Sequence, residues 1–424
     1  MEAPSPQTRM SPRLNSDFWK YWSGQTISNL GSSITLFALP LLVYKLTGSA
    51  INLGISTAAN FLPYLLFGLL LGAWTDRIDR KRMMILTDLA RALVIASIPL
   101  MAQFGTLTVW WIYAVGFVHS TLTICFEAGQ FAAIPNLVNA DDLVTANGRI
   151  QASYSGASVL GPLLAGALVA LIPISGLMMF DALSFLLSAL TLGLIKNSFN
   201  LHKDQNAERK SIGHDVIEGL RYVLKHPVLR NISLMMAMVN FVGASTYAQL
   251  VLFAKEQFQA NDSQIGLLFS AGSIGIVALS LLAGPLRKRF PFSRVALSAL
   301  MAEGLLTMAL AFTHWYWIAI ILWAIMSGTG IIFNINTTSL RQAIVPNHML
   351  GRVISIAGVL AWSAIPLGSL LGGFVIGLTQ NVALVYAAIG LLTFLIPLTF
   401  SFTALGRAEQ YLPQKEEQEA ITTG

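Results

Sequence analysis

Charge is scarce in this chain. Asp, Glu, Lys and Arg make up 11% of its 424 residues, whereas 55% are hydrophobic and the mean hydropathy is +0.66. A water-soluble protein carries about 25% charged residues, so lipid is the expected solvent and a count of globular domains from length does not apply. Cysteine is nearly absent: Cys125 stands alone, which excludes an internal disulfide. No His, Cys or acidic cluster has metal-ligand spacing, so neither a resident metal nor another cofactor is expected. The phosphate-cradling pattern G-x-x-x-x-G-K-[ST] is missing, and no polar segment is long enough for a nucleotide-binding domain, which excludes ATP drive within this chain. The first 17 residues, MEAPSPQTRMSPRLNSD, lack the apolar core of a signal peptide, so the first hydrophobic run is expected to stay in the mature chain.

What the chain has in abundance is long apolar runs. About 20 such residues cross a bilayer core as a helix. Twelve stretches qualify: roughly 18–46, 50–74, 83–104, 108–132, 143–173, 176–196, 228–254, 263–286, 293–313, 315–338, 350–378 and 382–404. Of the 26 Lys and Arg residues, all but Lys45 and Lys255 fall in the tails, in the even-to-odd connections or beside them. Basic residues mark the cytoplasmic side, so a multi-pass protein with both termini in the cytoplasm is expected. That placement accounts for the pI near 9.4 and leaves no basic patch for nucleic acid.

The layout is a tail (1–17), a six-helix half (18–196), a polar interval (197–227), a second six-helix half (228–404) and a tail (405–424). Within the interval, Ile212, Val216, Ile217, Leu220 and Leu224 recur at helical spacing among charges, which predicts an amphipathic helix on the inner membrane surface. It serves as a tether between halves or as a regulatory element. The halves echo each other. Asn29, Gly31 and Lys45 correspond to Asn240, Gly243 and Lys255; GAWTDRIDRKR (72–82) corresponds to GPLRKRFPFSR (284–294); PNLVNADDLVTANGRI (135–150) corresponds more loosely to PNHMLGRV (346–353). All three pairs keep their order, which predicts two homologous halves around a central cavity, the plan of a rocking transporter.

The stretch Gly72-AWT-Asp76-Arg77-ID-Arg80-Lys81 resembles the loop signature G-x-x-x-D-R-x-G-R-R/K of the major facilitator superfamily, with Asp79 where the pattern has Gly. Together with GSSITLFALPLLVYKLTGS, TDLARA and PNLVNADDLVTANG, it is similar to a branch of bacterial exporters that includes macrolide-efflux proteins and the enterobactin exporter. The resemblance covers nearly the whole chain and implies an all-α integral membrane fold of twelve helices in a bacterial inner membrane. It also implies that Asp76 meets the start of helix 11, so that Arg77, Arg80 and Lys81 latch the cytoplasmic side until the halves rock apart. The plainer reading is that the basic residues only orient the loop. At the position matching Asp76 the second half has Lys288 but keeps Arg287, Arg289 and Arg294, and orientation alone does not account for the Asp.

Charges inside the spans are few, and each costs about 3 kcal/mol near the bilayer centre on insertion scales. Asp88 and Arg91 lie one turn apart in helix 3, and Glu127 reaches a similar depth from helix 4, so Arg91 can pair with either acid. These residues form a packing ion pair, or Glu127 carries a coupling proton. His119, two turns before Glu127, is a packing residue or a proton relay. Glu303 and Asp181 sit in helices 9 and 6, which the resemblance places away from the cavity.

Uncharged polar residues suggest a cavity lining: Gln25, Asn29, Ser32 and Ser33 on one side of helix 1, Asn240 and Gln249 in helix 7, and Asn334 and Asn336 in helix 10. Amides also bond between helices as packing glue. In helix 5, ASVLGPLLAG (157–166) resembles the antiporter motif g-x-x-x-G-P-x-x-G-G through Gly161, Pro162 and Gly166, although close helix packing also calls for small residues there. The combined expectation is a non-enzymatic, monomeric secondary transporter that exports an amphipathic small molecule, a macrolide-like drug or a siderophore, against a proton gradient. Sodium coupling, uptake of a nutrient and a non-transporting sensor or partner-binding role are the alternatives.

Overall fold

The computed structural model describes residues 14–75, 78–138, 142–196, 199 and 212–411. Among them there is no strand. The first half holds α1 (Ser16–Thr47), α2 (Ala50–Thr75), α3 (Arg80–Gln103), α4 (Val109–Leu137), α5 (Leu143–Leu168) and α6 (Ile174–Gly193). After the amphipathic α7 (Ile212–Lys225) come α8 (Pro227–Ala248), α9 (Leu250–Phe258), α10 (Asp262–Arg289), α11 (Phe292–Phe312), α12 (Tyr316–Ile344), α13 (Asn347–Trp362), α14 (Ala364–Thr379) and α15 (Val382–Phe400). A 3-10 helix over Ala404–Tyr411 follows.

Local chemistry sets the ends. Asn15 caps α1 by accepting from the Phe18 N–H, and Gly48, in the left-handed region at φ 58°, ends it. Asn261 and Gln264 form a reciprocal capping box at α10. Asp79, the departure from the loop signature, caps α3 by accepting from the Arg82 N–H at 2.9 Å.

Eleven helical segments among the described residues are long and apolar enough to cross a membrane. The remaining predicted crossing is α5, whose first half carries Asn147, Arg149 and Gln151. Three predicted boundaries need correction. The 143–173 span stops at Leu168, and Pro173 then becomes the N-cap of α6. The 228–254 span is broken at Gln249 into α8 and α9. The 350–378 span is kinked at Ser363 into α13 and α14. The cause there is Pro366, which has no N–H for the Trp362 carbonyl and crowds it.

Packing within the halves follows one scheme. In the first, α1 packs on α5 and α6, α3 on α4 and α6, and α2 on α4. In the second, α8 packs on α14 and α15, α11 on α12 and α15, and α10 on α12. The halves meet through α2 against α14 and α5 against α10, contacts that the same two-fold relation interchanges. The helix α7 docks on α13, with Val223 buried beside Val353 and Ile356, while Ile217 and Leu224 stay exposed.

The junction is closed at one end only. Toward the end away from the basic loops, one apolar core joins both halves, uniting Phe37, Leu41 and Leu53 with Leu250, Phe253 and Tyr386. Toward the basic end, the first half has its own core around Phe18, Met84 and Phe126, and the second has its own around Ile232, Leu300 and Phe333. The ring contact across the junction that lies nearest the basic end is Tyr64 of α2 on Trp362 of α13, edge to face at 5.8 Å. Among the described residues, every hydrogen bond and ion pair between the halves lies on the far side of that contact from the basic loops.

Candidate functional site

The open end leads to a cavity of about 540 Å³ between α4 and α5. Its walls are Glu127, Gln130 and Ile134 from α4, and Asn147, Gly148, Ile150, Gln151 and Tyr154 from α5. Glu127, Gln130 and Ile134 follow the i, i+3, i+7 spacing of one helix face, and Asn147, Gln151 and Tyr154 follow i, i+4, i+7. Gln130 donates to the Tyr154 hydroxyl at 3.2 Å and accepts from it at 3.3 Å, joining the two walls. Glu127 is the one carboxylate on the lining, and the Tyr64 hydroxyl lies within electrostatic reach of it. Tyr64 therefore stands near the cavity acid and touches the other half with its ring.

Behind Glu127 lies a buried charge network. Arg91 binds Asp88 on its own helix, and Asp88 accepts from Ser188 of α6 at 2.6 Å. Gln25 of α1 donates to the same Ser188 at 2.7 Å. The Arg91 guanidinium is sandwiched between the rings of Phe126 at 4.2 Å and Phe185 at 4.4 Å. Ion pair and aromatic faces together replace the water that this cation gives up. Of the two acids within reach in the sequence, Arg91 takes Asp88 and leaves Glu127 to the cavity. His119 packs against Phe185 at 5.7 Å, and its Nε2 is buried without a partner, so no hydrogen bond links it toward Glu127. Asp181 is fully buried and accepts from Ser32 at 3.2 Å and Ser184 at 3.3 Å.

Most of the amides predicted to line the cavity do other work. Gln25, Gln249 and Asn336 are buried and do not line it. Gln25 belongs to the Asp88 network, Gln249 donates to the Ala50 carbonyl across the junction at 2.7 Å, and Asn336 bonds the Ile332 carbonyl of its own helix. Asn240 donates to the Ala361 carbonyl, beside the Pro366 kink. Asn29 reaches Ser153 of α5 at 3.5 Å, Ser33 packs against Gly161, and the exposed Asn334 bonds the Gly330 carbonyl. The common cause is that an amide at lipid depth is stabilised by any neighbouring carbonyl or hydroxyl.

The predicted latch is partly visible. Gly72 lies in the last turns of α2, and Asp76 and Arg77 lie outside the described residues. Arg80 donates to the Phe199 carbonyl at 3.3 Å, and Lys81 to the Ile195 carbonyl at 2.5 Å. Neither bond reaches the second half; they tie the start of α3 to carbonyls at and beyond the end of α6, where cations are favoured. An ion-paired contact between the halves is seen at the opposite end. Lys45 binds one oxygen of Asp262 at 2.5 Å and Lys255 binds the other at 2.7 Å. The antiporter-like motif belongs to this closed end: Gly166 lies against Gly266 of α10 backbone to backbone, and Ser263 donates to the Gly166 carbonyl at 2.5 Å.

Comparison with known proteins fits this architecture. The sequence matches the transmembrane secretion effector family over residues 7–420. It is 30% identical to the multidrug efflux pump Tap of Mycolicibacterium fortuitum over 81% of this chain and 85% of that one. It is 26% identical to macrolide efflux protein A of Streptococcus pyogenes over 84% of this chain and 88% of that one. In fold it resembles a bacterial homologue of the human lysosomal transporter Spinster, with a TM-score of 0.73 at 15% identity over 94% of this chain and 98% of that one.

Proposed function

The chain belongs to the transmembrane secretion effector family of the major facilitator superfamily, and from that premise we propose that it exports an amphipathic small molecule from the cytoplasm in exchange for protons. The observation that carries this reading is Glu127: a carboxylate on the wall of a cavity, near Tyr64, whose ring rests on the opposite half. The basic end is read as cytoplasmic from the Lys and Arg distribution, which makes this the inward-facing state.

Substrate enters from the cytoplasm and lies against Gln130, Gln151 and Tyr154, and its binding favours the ionised form of Glu127. The released proton leaves to the cytoplasm. Rocking of the halves then separates Lys45 from Asp262, which keeps Lys255 within its own half, and opens the far side, where protonation of Glu127 expels the substrate. Asp88 is unsuited to this role because Arg91 and Ser188 occupy its oxygens. A proton driven by 100 mV supplies about 2.3 kcal/mol, enough for roughly a 50-fold gradient of an uncharged substrate. The efflux names of Tap and macrolide efflux protein A support a drug-like substrate.

The test is accumulation of a macrolide, a cationic dye and a catechol siderophore in cells with and without the protein, repeated with a protonophore and with Glu127→Gln. Depletion of one compound, abolished by both treatments, supports proton-driven export and names the substrate class. Depletion that survives the protonophore refutes proton coupling, and a gain in compound refutes export.

A further inference from the structure

A second cavity lies in the other half, on a flank that the transport cycle above does not use. It measures about 640 Å³ and runs between α10 and α11, which scarcely touch each other, with α12 as its floor. The wall is apolar: Leu286 and Phe290 on one side, Leu297 and Met301 on the other, and Ile332 beneath. Arg294 lines it near the basic end, at the start of α11. From Arg294 to Ala302, the deepest part of the α11 wall, is about 12 Å of helix rise, so the groove extends from headgroup level into the hydrocarbon.

Its mouth is strongly cationic. Arg287, Lys288, Arg289 and Arg294 fall within one short stretch, and among the described residues none of them has a carboxylate partner. The acid nearest in the fold is already engaged: Glu409 accepts from both the N–H and the hydroxyl of Ser293, at 3.0 and 2.8 Å. Arg287 is held over the Phe292 ring at 3.5 Å, with its Nε buried and unpaired. An apolar slot of acyl-chain depth, topped by uncompensated guanidinium groups at the membrane surface, fits one class of occupant. We propose that this groove binds an anionic phospholipid of the cytoplasmic leaflet, its acyl chain between α10 and α11 and its headgroup phosphate on Arg294 with the neighbouring cations. Because α10 also forms the junction with α5, the bound lipid braces a helix on which the closed end depends.

The experiment uses the full-length protein purified in a mild detergent and titrated with phosphatidylglycerol or phosphatidylcholine, with lipid retention read by native mass spectrometry and stability by the thermal midpoint. Expected is retention of phosphatidylglycerol well above phosphatidylcholine, with a raised midpoint. That preference should fall about tenfold in Arg294→Gln. It should fall equally in Ser298→Trp, which fills the groove from an exposed lining position and keeps every charge. Equal retention of the two lipids overturns the proposal. So does loss in Arg294→Gln with full retention in Ser298→Trp, which would mean surface attraction without a groove. Displacement of phosphatidylglycerol by a macrolide would make the groove a substrate path and overturn it as well.

Discussion

Lys45 and Lys255, which occupy matching positions in the two halves, meet on opposite oxygens of the same carboxylate, that of Asp262. They are also the two basic residues that stand apart from the basic end. One acid thus neutralises both: Lys255 from within its own half, and Lys45 across the junction, the contact that requires the far end to be closed.

Asp262→Asn should therefore weaken closure at that end. Exposed and half-exposed pairs contribute roughly 0.2–1 kcal/mol each, and only the Lys45 pair crosses the junction, so its loss shifts the balance of closed to open forms by about 1.4- to 5-fold. Distances between spin labels on the far-side loops measure the shift. Raising the salt concentration should shrink the difference between variant and parent, because these charges are partly screened.

Gly266→Val should open the same end by sterics instead of charge. A Cβ at Gly266 would stand 2.6 Å from the Pro162 carbonyl oxygen and 2.8 Å from the Gly166 Cα, both backbone atoms that cannot step aside. Ser270→Cys, buried in the same α5–α10 contact where its hydroxyl meets the Val159 carbonyl, should resist alkylation in the parent and react readily once Gly266→Val is added. The single native thiol, Cys125, is buried and gives a quiet background.

The Arg91 site predicts a non-additive pair. Asp88→Asn or Arg91→Gln alone strands a buried charge and should cost about 3–5 kcal/mol. Changing both should cost distinctly less than the sum. Thermal unfolding of the purified single and double variants measures the coupling, and strict additivity would mean that the pair is not electrostatically linked.

Tyr64→Phe keeps the ring on Trp362 but removes the hydroxyl near Glu127. Substrate binding should persist while proton-driven transport falls by about 5-fold, the order expected for one polar interaction with a carboxylate. Equal losses in binding and transport would reduce Tyr64 to a wall of the cavity.

How far the sequence discloses this molecule depends on the kind of signal. Apolar length marks the crossings, and Pro366 explains a kink that proline chemistry anticipates. Gln249 breaks its helix with no proline or glycine at the break, so no local rule announces it. The amides mislead for a different reason. Gln25 and Gln151 are the same residue type on amphipathic faces, and only the fold determines that one finds Ser188 and the other an open cavity. The α5 wall was legible in principle from the spacing of Asn147, Gln151 and Tyr154, but those residues sit in a polar stretch that reads equally well as the run-in to the helix. Asp88 and Arg91 could be paired from spacing alone; the two phenylalanines around Arg91 could not.

The Tyr64–Trp362 contact also has an electrical consequence. From Ala50 at the far end of α2 to Tyr64 is about 21 Å of helix, so the sealed region spans most of the roughly 30 Å hydrocarbon core. Under the proposed proton-coupled cycle, the membrane voltage would fall across this sealed region, and a proton moving between Glu127 and the basic side in this state would cross little of the field. The voltage-sensitive step of that cycle would be the rocking itself, which would carry Glu127 from one side of the drop to the other.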